Sequence, residues 1–449
     1  MSGATSTEGK TVTGAPLRPA RSPGSSPAIS VRATFARLEV DTRLLGMIAA
    51  LAILWVVFDV LSGGLFLSPR NLWNLSVQSA AVAIMTTGMV LIIVSRNIDL
   101  SIGSILVFVA MFMGLLQTEW IPNAMGPGFD PTYMWIVVVL VGIAIGAFIG
   151  SLQGFLVAFV GIPSFIVTLG GLLIWRGAAF QLARGRTIAP LDITFQLLGG
   201  GPKGSLGETL SWVVAAIAIL AIFYNLISGR RRRRRYGFAL RPAWADITIG
   251  VLGSLAVAGA VWIANAYPWP PALAEQYAKE HGIPIPEGGL IIPTGIAIPV
   301  LLAIGIAIVM TVLATRRRFG RYVYAIGGNP EAAELAGINT RRTIMKTFVA
   351  MGILAAIAAA VTSARLNAAT QGLGIGVELQ VIAAAVIGGT SFSGGVGTIA
   401  GGVLGAVIMQ SLSSGMVLIG VDTASQDIVV GVVLLTAVGV DTVLRRRRI

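Results

Sequence analysis

Four polar residues stand together inside one of the most apolar parts of the sequence. Arg96, Asn97, Asp99 and Ser101 interrupt GMVLIIVSRNIDLSIGSILVFVAMFMG (88–114), whose flanking runs are each apolar enough to cross a bilayer. Unsatisfied polar groups cost several kcal/mol in hydrocarbon, so they must face protein, water or a ligand. Two interpretations follow. Asn97, Asp99 and Ser101 line or gate the path of a polar solute, or Asp99 caps a helix that begins near Ser101.

A second polar segment, IGGTSFSGGVGTIAGG (387–402), divides another apolar stretch and contains Thr390, Ser391 and Ser393. Like the first segment, it joins small polar residues to a glycine followed by Ser or Thr. Interrupted helices at corresponding places in two halves mark the substrate route of transporters. Glycines also allow close helix packing without any such role. We predict broken or short helices near 96–104 and 388–398, with both polar sets lining a translocation path.

Composition assigns the chain to the membrane proteins. Of its 449 residues, 55% are hydrophobic and 11% are charged, whereas soluble domains carry about 25% charged residues. The absence of Cys and the single histidine, His281 in a Pro-rich loop, exclude thiolate and multi-histidine metal sites. The net charge of +13 is concentrated beside apolar runs, which favours an anionic membrane face over nucleic acid as its partner.

Hydrophobic runs predict an all-α, polytopic protein with about twelve spans, within a range of ten to fourteen. The predicted spans are 44–66, 76–95, 102–118, 134–158, 163–183, 210–228, 246–266, 291–314, 343–364, 377–393, 396–412 and 426–443. With the N-terminus inside, the arginine runs 230–235, 316–318 and 445–448 fall on the cytoplasmic side, as does the C-terminus. The spans at 102–118, 377–393 and 396–412 are short and glycine-dense, so we expect broken or half-spanning helices there.

The first 40 residues are rich in Ser, Thr, Pro, Gly and Ala, and we expect a disordered cytoplasmic tail at 1–40. The transmembrane domain then covers 41–449. The tail contains GATSTEGKT, which has five residues between its glycines where a P-loop needs four. We therefore expect no ATP site in this chain.

A short helix is predicted in the cytoplasmic loop RYVYAIGGNPEAAELAGINTRR (321–342). Asn329 can cap it, Pro330 fits its first turn, Glu331 complements its dipole and Gly337 can end it. Glu331 and Glu334 would project toward water or a partner. The helix either ties two spans together at the interface or docks a cytoplasmic protein.

Three stretches carry a family resemblance: GMVLIIVSRNIDLSIGS, RRRFGRYVYAIGGNPEAAELAGIN and VIAAAVIGGTSFSGGVGTIAGGVLGAVIM. They resemble the transmembrane permease subunits of bacterial ABC importers for monosaccharides, of the ribose, xylose and galactose type, over about 75–443. Ribose-type members usually have two small residues where this chain has Arg96 and Asn97. The arginine run and a span near 246–266 lengthen the chain as in the xylose-type branch, so xylose or another pentose is the predicted cargo.

The resemblance implies a multi-pass permease of the bacterial inner membrane, set among lipid and paired with a second permease copy. Its other partners would be a cytoplasmic ABC ATPase subunit and an extracytoplasmic sugar-binding protein. The family's coupling helix, which docks on the ATPase, is similar to the segment with Asn329, Pro330, Glu331, Glu334 and Gly337. The chain would be a transport subunit rather than an enzyme, without catalytic residues or cofactor, and ATP hydrolysis would occur on the separate ATPase.

Two other classes compete with an ABC permease. A carrier or channel driven by an ion gradient would favour carboxylates within its spans as relays, and Asp59 is the main example here. A membrane enzyme would need a reactive group, but the sequence has no Cys, no H-E-x-x-H and no G-x-S-x-G.

Overall fold

A computed structural model of the chain describes residues 42–126 and 131–446. The predicted tail at 1–40 lies outside the described residues. Within them the secondary structure is helical, and β pairing is limited to isolated bridges such as Ile188 with Ala369. The predicted all-α, polytopic fold class is confirmed.

Ten helices of the described part are long and apolar enough to cross a membrane, and two shorter apolar helices accompany them. The helices used below are α1 Thr42–Leu61, α2 Pro69–Val94, α3 Ile102–Met125, α4 Met134–Val160, α5 Ser164–Ala183, α6 Gly207–Arg235, α7 Ala243–Asn265, α8 Pro271–His281, α9 Ile298–Thr315, α10 Arg318–Gly328, α11 Pro330–Leu335, α12 Thr340–Leu366, α13 Val377–Ile387, α14 Ile399–Leu418 and α15 Thr423–Arg446.

Only one of the three spans expected to be short is short. The α3 helix continues to Met125 through a turn of π-helix at Leu116–Trp120, and α14 runs for 20 residues. The α13 helix has 11 residues, about 16 Å at 1.5 Å per residue, which is half of a bilayer core. The Pro-rich loop also differs from expectation, because it contains α8, at whose end His281 lies exposed.

The core of the molecule is built around α2, most of whose residues are buried. Helix α12 packs closely against α4 because glycines recur every fourth residue along α4. A Cβ atom at Gly146 would lie 2.3 Å from the Gly352 carbonyl oxygen, and one at Gly150 would lie 2.3 Å from that of Phe348. The small residues therefore set the helix separation, as in other membrane helix pairs.

One end of the molecule, here called the basic end, carries the arginines at 230–235 and 316–318 together with α11. The end of α6 and the end of α9 lie on the same side, because Asn225 and Thr311 line one cavity. Both predicted helix breaks also occur here, at 95–101 and 388–398. Apolar side chains of α1, α6 and α7 are exposed along much of their length, which is typical of a surface that faces lipid.

Candidate functional site

The first helix break begins with a Schellman turn at the end of α2. The Asn97 N–H donates to the Ile92 carbonyl (3.0 Å) and the Arg96 N–H donates to that of Ile93 (2.9 Å). This motif places Arg96 in the left-handed region, at φ 63°, where glycine is the usual residue. The conformation costs a non-glycine residue about 1–2 kcal/mol, so the side chain of Arg96 must contribute something that glycine lacks.

The Arg96 side chain joins this break to α10. Its Nε donates to the Gly327 carbonyl and its Nη2 to the Gly328 carbonyl, both at 2.8 Å. Gly327 itself is in such close contact that an added Cβ would lie 1.8 Å from the Val94 oxygen. The end of α10 is therefore held against the end of α2, and α11 begins two residues later, at Pro330.

The second break packs on the same junction. The Gly395 N–H donates to the Val94 carbonyl (2.9 Å), and the Tyr324 hydroxyl of α10 donates to the Gly397 carbonyl (2.7 Å). Burial raises the pKa of the Tyr324 phenol. The stem of Arg96 crosses Gly394, where a Cβ would meet Arg96 Cγ at 2.5 Å. Both breaks and α10 thus form one continuous junction, here called the break junction.

Asp99 and Ser101 lie deeper, between α3, α4 and α5. Asp99 Oδ1 accepts hydrogen bonds from the Ser101 N–H (2.9 Å) and hydroxyl (2.6 Å), and the Gln153 side-chain oxygen of α4 lies 3.0 Å from that hydroxyl. Asp99 and Ser101 are both almost fully buried. The Thr168 hydroxyl of α5 lies 3.3 Å from the Ile98 carbonyl. Asp99 therefore organises the backbone that leads into α3 and is shielded from direct contact with a solute in this conformation.

The structure predicts that Asp99 acts as a hydrogen-bond acceptor rather than as a charge. In the Asp99→Asn variant the amide oxygen can still accept from Ser101, so we expect destabilisation below about 1 kcal/mol. Asp99→Ala leaves the Ser101 N–H without its acceptor and should lower the free energy of unfolding by about 2 kcal/mol. Thermal melting of the purified protein measures both. Equal losses in the two variants would show that the charge itself is required.

The predicted polar residues fall into two groups. Asp99 and Ser101 share hydrogen bonds, and the Asn97 amide binds Ser95 at the start of the same break. In the second break the hydroxyls of Ser391 and Ser393 lie 2.9 Å apart. Thr390 is buried, and its hydroxyl has no hydrogen-bond partner within the part of the chain that the structure describes. Within the described residues, Arg96, Val94 and glycines make the contacts that connect the two breaks, and the sequence patterns do not single these residues out.

A third break between helices, at residues 367–376, is not among the breaks predicted from the sequence. Gly374 packs against α3, where a Cβ on Gly103 would lie 2.2 Å from the Gly374 oxygen. Helix α13 follows at once and runs antiparallel to α14, with Ala384 against Gly405. Because α13 covers only half a bilayer, its start lies near mid-membrane. The non-helical segment therefore enters the membrane from the end opposite the basic end.

This re-entrant segment places exposed non-helical backbone and the half-buried side chains of Gln371 and Glu378 at membrane depth. Gly372 and Ile375 are exposed, and the Gln371 amide binds the Ala179 carbonyl of α5 (3.2 Å). Glu378 lies beside Gly103, where an added Cβ would lie 2.4 Å from the Glu378 Oε2 atom. Non-helical backbone cannot face lipid, so it is covered by protein or lines a water-filled path. The signal in the sequence was QGLGIGVE, whose glycines and acidic residue interrupt an apolar run.

The predicted short helix at the basic end is confirmed as α11. The Asn329 side chain caps it by accepting from the Ala332 N–H (3.0 Å), Pro330 occupies its first turn, and Gly337 follows it at φ 79°. Glu331 and Glu334 are exposed, as expected. Leu335 is 91% exposed, although it lies at the basic end, outside the ten candidate spans.

The sequence is similar to known transport proteins over most of its length. The model of the family described as "Branched-chain amino acid transport system / permease component" matches residues 71–438. The chain is 36% identical over 409 residues to the xylose transport system permease protein of Escherichia coli (strain K12), covering 91% of this chain and 94% of that protein. It is 35% identical over 404 residues to the xylose transport system permease protein of Haemophilus influenzae, covering 90% and 97%.

A more distant relative is the ribose import permease protein of Escherichia coli (strain K12), which is 30% identical over 393 residues, covering 87% of this chain and 91% of that protein. No solved structure matches the chain.

Proposed function

The chain belongs to the family of branched-chain amino acid transport system permease components, and from that premise we propose that it imports a sugar. It is the transmembrane subunit of an ATP-driven monosaccharide importer and a multi-pass protein of the bacterial inner membrane. Xylose is the proposed cargo, because two xylose permeases match nearly the whole chain. The chain itself transports and does not catalyse a reaction.

The break junction carries the mechanism. Helix α11, with its exposed Leu335, would dock on a cytoplasmic ABC ATPase, and α10 connects it directly to both helix breaks through Arg96 and Gly327. A displacement of α11 by the ATPase would therefore reach the ends of α2 and α14 through short, direct contacts. Asn97, Asp99, Ser101, Thr390, Ser391 and Ser393 would then gate the path as the breaks bend, in an alternating-access cycle.

The path itself is proposed to lie between two copies of the chain. The re-entrant segment lies at membrane depth with its backbone exposed at Gly372 and with Gln371 and Glu378 half-buried beside it, so it needs either protein cover or water. A second permease copy would supply the cover, and sugar would pass along the seam. Amide and carboxylate groups at Gln371 and Glu378 can hydrogen-bond sugar hydroxyls. An extracytoplasmic sugar-binding protein would deliver sugar at the end opposite the basic end.

Reconstitution tests this function directly. Proteoliposomes holding the permease should take up radiolabelled xylose only when the ATPase, the binding protein and ATP are all present. Omitting each component in turn provides the controls. Uptake by the permease alone, driven by an ion gradient, would replace the importer by a secondary carrier. Sugar-dependent ATP hydrolysis with another pentose, and none with xylose, would retain the importer and exclude xylose.

A further inference from the structure

The chain that leaves α5 crosses one end of the molecule as a strap, here defined as residues 186–199. This is the end opposite the basic end, because α5 begins beside the first helix break, where the Ile98 N–H donates to the Ser164 hydroxyl (3.2 Å). Three side chains of the strap are buried and belong to the main hydrophobic core: Ile188, Leu191 and Phe195. The strap is therefore fastened to the bundle by apolar packing, unlike a surface loop that only connects two helices.

The strap pairs with the start of the re-entrant segment, 367–376. Ile188 and Ala369 exchange two backbone hydrogen bonds, each with an N···O distance of 2.9 Å, and so form an isolated antiparallel bridge. The Leu191 N–H donates to the side-chain oxygen of Asn367 (2.8 Å). The start of the re-entrant segment therefore cannot move away from the strap unless these hydrogen bonds break together.

The same strap contacts α3 and α12. The Asp192 N–H donates to the side-chain oxygen of Gln117 (3.1 Å), which lies in the π-helical turn Leu116–Trp120 of α3. At the far end of the strap, Gly199 lies so close to α12 that an added Cβ would be 2.1 Å from the Arg365 backbone nitrogen. Turns of π-helix inside longer helices are frequently found at functional sites. The strap thus connects α3, α12 and the re-entrant segment at this end of the molecule.

We propose that the strap is the outer gate of the transport path, and that the bridge between Ile188 and Ala369 separates each time sugar enters from outside. This inference rests on the proposed function, in which sugar moves along the re-entrant segment. Alternating access needs a closure at each end of the path, and the break junction lies only at the basic end. A bridge of two backbone hydrogen bonds suits a gate, because water replaces both partners when the segments separate. A covalent link across the bridge would therefore stop transport.

The gate is tested by locking it with a disulfide. The sequence has no cysteine, so Ile188→Cys/Ala369→Cys introduces the only two thiols of the chain. Opposite residues of a hydrogen-bonded antiparallel pair have Cα atoms about 5.5 Å apart, which is within the range that a disulfide spans. With the ATPase, the binding protein and ATP present, we expect xylose uptake into proteoliposomes to fall at least about tenfold on oxidation. Uptake should recover on reduction with dithiothreitol.

Ser205→Cys/Ala297→Cys provides the matched control. These two residues form another isolated antiparallel bridge at the same end of the molecule, outside the strap. Oxidation of the control pair should leave xylose uptake unchanged. Uptake at the wild-type rate by the oxidised Ile188→Cys/Ala369→Cys protein, with its disulfide confirmed by mass spectrometry, would overturn the proposal.

A second variant loosens the gate without changing the backbone. Asn367 lies in the left-handed region, at φ 51°, so Asn367→Gly keeps that conformation but removes the oxygen that accepts from Leu191. Ile375→Cys, at an exposed position of the re-entrant segment, reports opening through its reaction with a membrane-impermeant maleimide added from outside. We expect Asn367→Gly to speed this labelling about fivefold.

An unchanged labelling rate in the Asn367→Gly background would also overturn the proposal. The labelling experiment needs no transported sugar. It therefore tests the gate independently of the cargo, and a failure of xylose as cargo can be told apart from a failure of the gate.

Discussion

Replacing Leu335 by aspartate is expected to abolish capture of the ATPase while leaving the permease folded in the membrane. Leu335 is 91% exposed at the end of α11 and packs little against its own chain, so the substitution removes nothing from the permease core. As a hot-spot residue of the ATPase interface, Leu335 would contribute at least about 2 kcal/mol, and a buried carboxylate in its place adds a desolvation cost. We expect the ATPase to bind at least about 30-fold more weakly.

The measurement is co-purification of the ATPase with tagged permease, followed by a binding titration in detergent. Leu240→Asp provides the matched control, because Leu240 is also an exposed leucine, 45% accessible, in the turn between α6 and α7. The control should bind the ATPase with wild-type affinity. Wild-type affinity in Leu335→Asp would remove α11 from the docking surface. The assignment of the chain as a sugar importer would not be affected, because the uptake assay tests that assignment separately.

The second large effect is expected from Arg96→Gly, which should uncouple transport without harming the fold. Glycine accepts the left-handed backbone that Arg96 occupies at φ 63°, so local strain of about 1–2 kcal/mol is relieved. The variant loses both guanidinium hydrogen bonds to Gly327 and Gly328. Because hydrogen bonds from charged groups contribute about 1.5–3 kcal/mol each, we expect xylose uptake to fall at least about tenfold.

Arg184→Gly separates the loss of the side chain from the change of backbone. Arg184 also ends a helix, α5, in the left-handed region, at φ 52°, but it lies at the end opposite the break junction. The control should transport like wild type. In Arg96→Gly the relief of backbone strain offsets only part of the two lost hydrogen bonds, so the melting temperature should fall modestly, and the ATPase should still co-purify. Normal uptake in that variant would show that the break junction transmits no force.

Local sequence signals were sufficient to predict α11 and both helix breaks. Asn329 caps α11 through a bond that spans three residues, and Gly337 ends the helix within the next turn. Such interactions depend on residues next to each other in the chain, so spacing alone reveals them. Because these signals are local, they also led to wrong predictions of helix length. Glycine density suggested that 102–118 and 396–412 were short, but packing against other helices supports α3 and α14 at full length.

The sequence by itself determined the class of this protein, because runs of about 20 apolar residues must form helices wherever water is absent. It also located the polar interruptions that such helices cannot bury without partners. Only the tertiary structure decided what those interruptions do. Arg96 binds Gly327, 231 residues away in sequence, and Gly374 enters the membrane to meet Gly103. Contacts between distant segments depend on how helices pack. The residue pattern of a single helix does not show which other helices lie beside it.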